Sequence, residues 1–110
     1  MRPLLLVCLA MACLAATGCV ASHKGMTLSD FRGFCLTSGG GKNGACDTND
    51  ICYGLAARLE EDFGSLGRCL DACRDFHAQE AFANAMNRCA GTLNTARNLC
   101  IQYCRSNYEP

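Results

Sequence analysis

The sequence has no tryptophan, only two prolines and two histidines, and acidic and basic residues that cancel. Each shortage removes a class of protein. The prolines are Pro3 and Pro110. Nothing between them is barred from helix by a locked φ, and no proline-rich linker divides the chain. No segment alternates apolar and polar residues over the length of a strand, so the pattern leaves room for a small hairpin at most. There is no Cys-x2-Cys pair, and His23 and His77 are the only histidines, which argues against a zinc knuckle. Ten Lys and Arg face ten Asp and Glu without a basic run. That balance points away from nucleic acid and from strong electrostatic docking on an anionic membrane.

Cysteine is abundant, at 11 of 110 residues. The N-terminus explains some of them. Arg2 precedes an apolar run over 3–16 that ends in Ala15, Ala16, Thr17 and Gly18. This is the layout of a secretory signal peptide, and the run is too short to span a membrane comfortably. Residues 1–21 read as the leader, with cleavage at about 18–21, and residues 22–110 as one disulfide-rich domain. Ala16-Thr17-Gly18-Cys19 also resembles a bacterial lipobox that lacks its usual Leu, so anchoring through a lipidated Cys19 is the alternative. In either case Cys8, Cys13 and Cys19 drop out of the count. Cys35, Cys46, Cys52, Cys69, Cys73, Cys89, Cys100 and Cys104 remain. An even set in a small exported domain implies four disulfides and no free thiol, because so short a chain buries too little surface to be robust without cross-links.

The helical pattern follows from apolar spacing. Met26 to Phe31 suggest one or two turns, and Ser38 to Gly44 a glycine-rich loop. Asp47 or Thr48 can cap a second helix whose stripe is Cys52, Leu55, Ala56, Leu59 and Phe63, ended by Gly64. Ser65 can cap a third helix over about 66–90. Its stripe changes side: Leu66, Cys69, Cys73 and Phe76 lie on one face, and Ala78, Phe82, Ala85, Met86 and Cys89 nearly opposite. The pattern predicts either two buried faces or a break near 77–79, with Phe76, Phe82 and Met86 in the core. Gly91 then stops this helix and Thr92 caps a last one carrying Leu93, Ala96, Cys100, Tyr103 and Cys104. The expected fold is a small all-α domain stapled by disulfides.

Cys46-Asp47-Thr48-Asn49-Asp50-Ile51-Cys52-Tyr53 resembles the catalytic-helix signature of secreted phospholipase A2, of the invertebrate, venom and conodipine-like kind. The resemblance covers mainly residues 34–56. It implies a phospholipase A2-like helical core, with Asn49 at the place of the family's His base and Asp50 at the place of its Ca2+ ligand. Phe34-Cys35 resembles the start of the family's Ca2+ loop, which implies a Cys35–Cys46 bond and a bond from Cys52 to the third helix. Asp71 and Asp75 are both candidates for the acid that orients the base. An amide cannot act as a general base near neutral pH. Leu36 and Ser38 replace glycines that would turn carbonyls onto a metal, so Asp50 is expected to hold Ca2+ weakly at best. On helical phase Asn49 is expected to point inward beside Cys52.

Three functions compete. The first is an exported, catalytically degenerate phospholipase A2-like protein that binds a lipid or a receptor protein, using a residual apolar slot or its rigid surface. The second is a disulfide-stapled helical-hairpin toxin, defence or signalling peptide, in which Cys69-x3-Cys73 and Cys100-x3-Cys104 pair with each other. The third is an active Ca2+-dependent phospholipase using His77 as its base or an unusual water network in its place. The disulfide pairing separates the first two.

Overall fold

The computed structural model describes residues 25–38 and 45–110. The leader, Cys19 and the glycine-rich loop over 39–44 lie outside the described residues. Within them the protein is all-helical: α1 Leu28–Ser38, α2 Thr48–Leu59, α3 Leu66–Ala83 and α4 Ala90–Asn107. No helix among the described residues is long and apolar enough to cross a membrane.

Local chemistry sets most of the helix ends. The Thr27 hydroxyl accepts from the Asp30 amide at 3.0 Å, while the Thr27 amide donates to Asp30 Oδ2 at 3.1 Å. Two otherwise orphaned amides are satisfied by this reciprocal cap. Asp47 caps α2 through the Asp50 amide at 3.1 Å, and Ser65 caps α3 through the Arg68 amide at 3.3 Å. Four boundaries differ from the sequence pattern. α1 runs three turns rather than one or two, because Phe31 and Cys35 are both wholly buried and draw the whole segment onto the core. α2 stops at Leu59, and Gly64, with φ at +73°, turns the chain beyond it. α3 continues through 77–79 and ends at Ala83. The Asn84 side chain there donates to the Glu80 carbonyl at 3.0 Å and to Glu80 Oε2 at 2.9 Å. α4 begins at Ala90, so Gly91 and Thr92 sit inside its first turn and Thr92 is buried rather than capping.

Four disulfides fix the packing: Cys35–Cys52, Cys46–Cys89, Cys69–Cys104 and Cys73–Cys100. The last two join residues four apart on α3 to residues four apart on α4 in reverse order, so these helices form an antiparallel hairpin with two rungs. The first joins α1 to α2. The second ties the entry of α2 to the entry of α4. Each closes a loop of 17 to 43 residues, and a cross-link of that span stabilises by about 3–4 kcal/mol through the unfolded chain. The pairing implied by the phospholipase resemblance is not formed: Cys35 bonds Cys52, not Cys46, and Cys52 does not reach α3.

The core between the helices combines these sulfurs with Phe31, Ile51, Leu55, Leu59, Leu93 and Ala96. Tyr103 stacks edge-on against Phe31 with ring centroids 6.5 Å apart. Tyr108, just past α4, does the same to Phe63 at 6.3 Å and accepts the Phe63 amide at 3.1 Å, clamping the α2–α3 connection. At the other end of the described chain, the Met26 amide donates to Ser106 Oγ at 2.9 Å and its carbonyl accepts from Asn107 Nδ2 at 2.8 Å. Gly25 lies so close to α4 that a Cβ there would fall 2.6 Å from the Ser106 carbonyl oxygen.

Candidate functional site

The eight-residue motif lies at the entry of α2. On this helix the buried set is Ile51, Cys52, Leu55, Ala56 and Leu59. At 100° per residue that face is centred near Leu59, and Asn49 lies about a quarter turn from its centre, at the helix end. Asn49, Asp50 and Tyr53 are consequently all exposed, which corrects the inward placement of Asn49. Leu36 and Ser38, where the resemblance sets the metal-binding loop, belong to helix α1, and the Thr37 hydroxyl donates to the Gly33 carbonyl at 2.8 Å. Carbonyls of 33–34 point along a helix axis there. Asp71 and Asp75 both turn to Arg74 at the surface, at 3.1 and 3.7 Å, instead of to the motif.

Two open depressions flank α3. One, of about 330 Å³, runs between α2 and α3 over Gly54, Ala57 and Phe76 and is edged by Arg58, Glu61, Asp75 and Gln79. Its charged rim is unlike the apolar slot expected for an acyl chain, and neither Asn49 nor Asp50 lines it. The other, of about 280 Å³, lies at the α3–α4 turn and is lined by His77, Ala81, Asn84, Ala85, Arg88, Leu93 and Asn94 among others. His77 Nε2 and Asn94 Oδ1 are 3.2 Å apart across the two helices. No residue of the 46–53 motif reaches this second depression, so the structure does not bring His77 and Asn49 together.

Ligand sulfurs are also accounted for. Cys73, Cys100 and Cys104 carry sulfur atoms within 4.8 Å of one another. All three are oxidised in the α3–α4 rungs, and a disulfide sulfur is not the thiolate that a metal requires. Nearby, burial pushes the Tyr103 phenol above its ordinary value of 10.0, with Tyr108 adding to the shift. Its hydroxyl lies 3.5 Å from the Leu59 carbonyl.

The most distinctive surface is one the apolar pattern assigned to the core. Phe82 is 89% exposed and Met86 93% exposed. Phe82 lies in the last turn of α3, roughly 130° around the helix from the face that buries Cys69, Ala72 and Cys73, and Met86 sits in the turn over 84–88. Phe76 stays half-buried against the core. Both faces of α3 are thus apolar at this end, and among the described residues only one has a partner. The sequence carried a signal for this: residues 81–87 contain no charged side chain, although Glu80 and Arg88 bracket them. Asn84 and Asn87 hold the turn with a hydrogen bond of 3.0 Å, and Arg88 closes it in the left-handed region at φ +58°. A non-glycine residue rarely adopts that conformation.

Comparison with protein-family models, with curated proteins and with solved structures gives no match for this chain.

Proposed function

We propose that this is an exported, disulfide-stapled helical-hairpin protein that acts by binding and not by hydrolysis. The observation that carries the reading is the double rung Cys69–Cys104 and Cys73–Cys100, which holds α3 and α4 as a rigid hairpin whose turn presents Phe82 and Met86 to solvent. Two nearly bare apolar side chains on a cross-linked turn are what a recognition surface needs: contact area on a scaffold that loses little entropy when it binds. Export is supported by the leader-like N-terminus and by four disulfides, which persist in oxidising surroundings.

The phospholipase A2-like reading retains one favourable observation, the placement of the Cys46-to-Tyr53 motif at a helix entry. In that reading too the chain binds without hydrolysis, since the base position holds exposed Asn49 and His77, the one imidazole among the described residues, belongs to another depression. The test is a Ca2+-supplemented phospholipid assay on wild type and His77→Ala. Background rates in both are expected. Wild-type turnover that disappears in His77→Ala would overturn the proposal and make His77 the base.

A further inference from the structure

The apolar turn and the depression beside it form one surface. Residues 81–87 supply both: Phe82 and Met86 face solvent, while Ala81, Asn84 and Ala85 line the depression. No carboxylate lines that depression, and Arg88 forms no ion pair among the described residues. Glu80, the acidic group nearest in sequence, is held by the Asn84 amide at 2.9 Å. His77 donates to Asn94 Oδ1, and among the described residues the Asn94 amide nitrogen has no acceptor. Arg88 and Asn94 therefore offer hydrogen-bond donors to an anion at the foot of an apolar tip.

We infer that this turn docks on a phospholipid surface, with Phe82 and Met86 entering the interface and an anionic headgroup phosphate seated against Arg88 and Asn94. The inference rests on the binding reading above and names its partner. Area and charge select the occupant. An aromatic side chain buries about 150–250 Å²; even with Met86 counted as one, two tips from two copies supply about 600–1,000 Å², at or below the roughly 1,000 Å² that a stable protein–protein interface needs. A lipid interface has no such threshold. It receives a convex apolar tip directly, and phosphate complements an unpaired arginine.

The test is co-sedimentation of the oxidised mature chain with phosphatidylcholine vesicles, with and without phosphatidylserine. Wild type should bind both, and the anionic vesicles about five-fold more tightly, the contribution of one basic residue at such a surface. Phe82→Ser/Met86→Ser should weaken both by at least about ten-fold. Arg88→Asn should weaken binding to both vesicles, since both headgroups carry the phosphate, and remove the anionic preference, which the 82/86 variant keeps; Asn suits the left-handed backbone, so the turn is kept. Tyr53→Ser, on exposed α2, should bind as wild type does. The inference is overturned by wild type that ignores both vesicles or by an 82/86 variant that binds normally. A concentration-dependent dimer dissolved by the 82/86 substitutions would also overturn it, assigning the tip to a second copy. Fatty acid released from the vesicles would instead refute the non-hydrolytic reading, so the two failures are distinguishable.

Discussion

Cys73 Sγ lies 3.5 Å from Cys104 Sγ although the two are not bonded to each other, so the two rungs of the α3–α4 hairpin touch. All four sulfur-bearing residues are essentially without solvent exposure. The rungs act as core packing as well as cross-links. Cys73→Ala/Cys100→Ala should therefore cost about 2–5 kcal/mol in denaturant unfolding, with Cys69–Cys104 still intact by mass spectrometry. A cost well below 1 kcal/mol would mean that the second rung already restricts the hairpin fully.

Gly25 meets α4 more closely than any side chain permits. Its added Cβ would lie 2.5 Å from Asn107 Oδ1 and 2.6 Å from the Ser106 carbonyl oxygen. The amide side chain can move, but the carbonyl belongs to the helix backbone. Gly25→Ala should destabilise by about 1–3 kcal/mol and shift the unfolding midpoint accordingly. Gly33→Ala, with open space around it, should be neutral or slightly stabilising.

Much of the fold was legible in particular residues. Asp47 and Ser65 cap the helices they suggest, the Cys52-to-Leu59 stripe faces inward, and the even cysteine count becomes four bonds. Pairing was not legible, because eight cysteines allow 105 connectivities and spacing along the chain does not choose among them. The exposure of Asn49 is not legible, because a three-residue offset from Cys52 sets a helical phase but not the edge of the buried face. The exposure of Phe82 and Met86 is not legible for a related reason. Apolar character marks what could be buried, and whether it is depends on which face finds a neighbour. Asn84, Asn87 and the left-handed Arg88 end the helix pattern by hydrogen bonds and backbone geometry, which hydrophobic periodicity does not encode.

Methionine oxidation gives an independent handle on the exposed turn. Met86 is almost bare, whereas Met26 packs partly against the core. Mild peroxide should convert Met86 to the sulfoxide first, leave helical content unchanged and weaken vesicle binding, since the side chain becomes polar. Peptide mass spectrometry and circular dichroism follow both. Preferential oxidation of Met26 would contradict the packing of residues 25–27 on α4.

Alkaline pH should loosen the α1–α4 contact. The Tyr103 phenol is raised above 10.0 chiefly by burial. Between the unfolded and folded values the native state holds this proton more tightly than the unfolded chain does. Its contribution to stability is present below pH of about 10 and lost as pH rises through the folded value. Tyr103→Phe, measured by unfolding of the oxidised protein across that range, should show a flatter decline than wild type. Identical slopes would separate the decline from Tyr103.

The pairing of the cysteines tests the account most directly, because it separates a hairpin scaffold from a phospholipase-like one without any assumption about partners. Peptide mass spectrometry of the unreduced mature protein should recover Cys35–Cys52, Cys46–Cys89, Cys69–Cys104 and Cys73–Cys100, with no free thiol among these eight. Recovery of Cys35 with Cys46, and of Cys52 with a cysteine of α3, would contradict it.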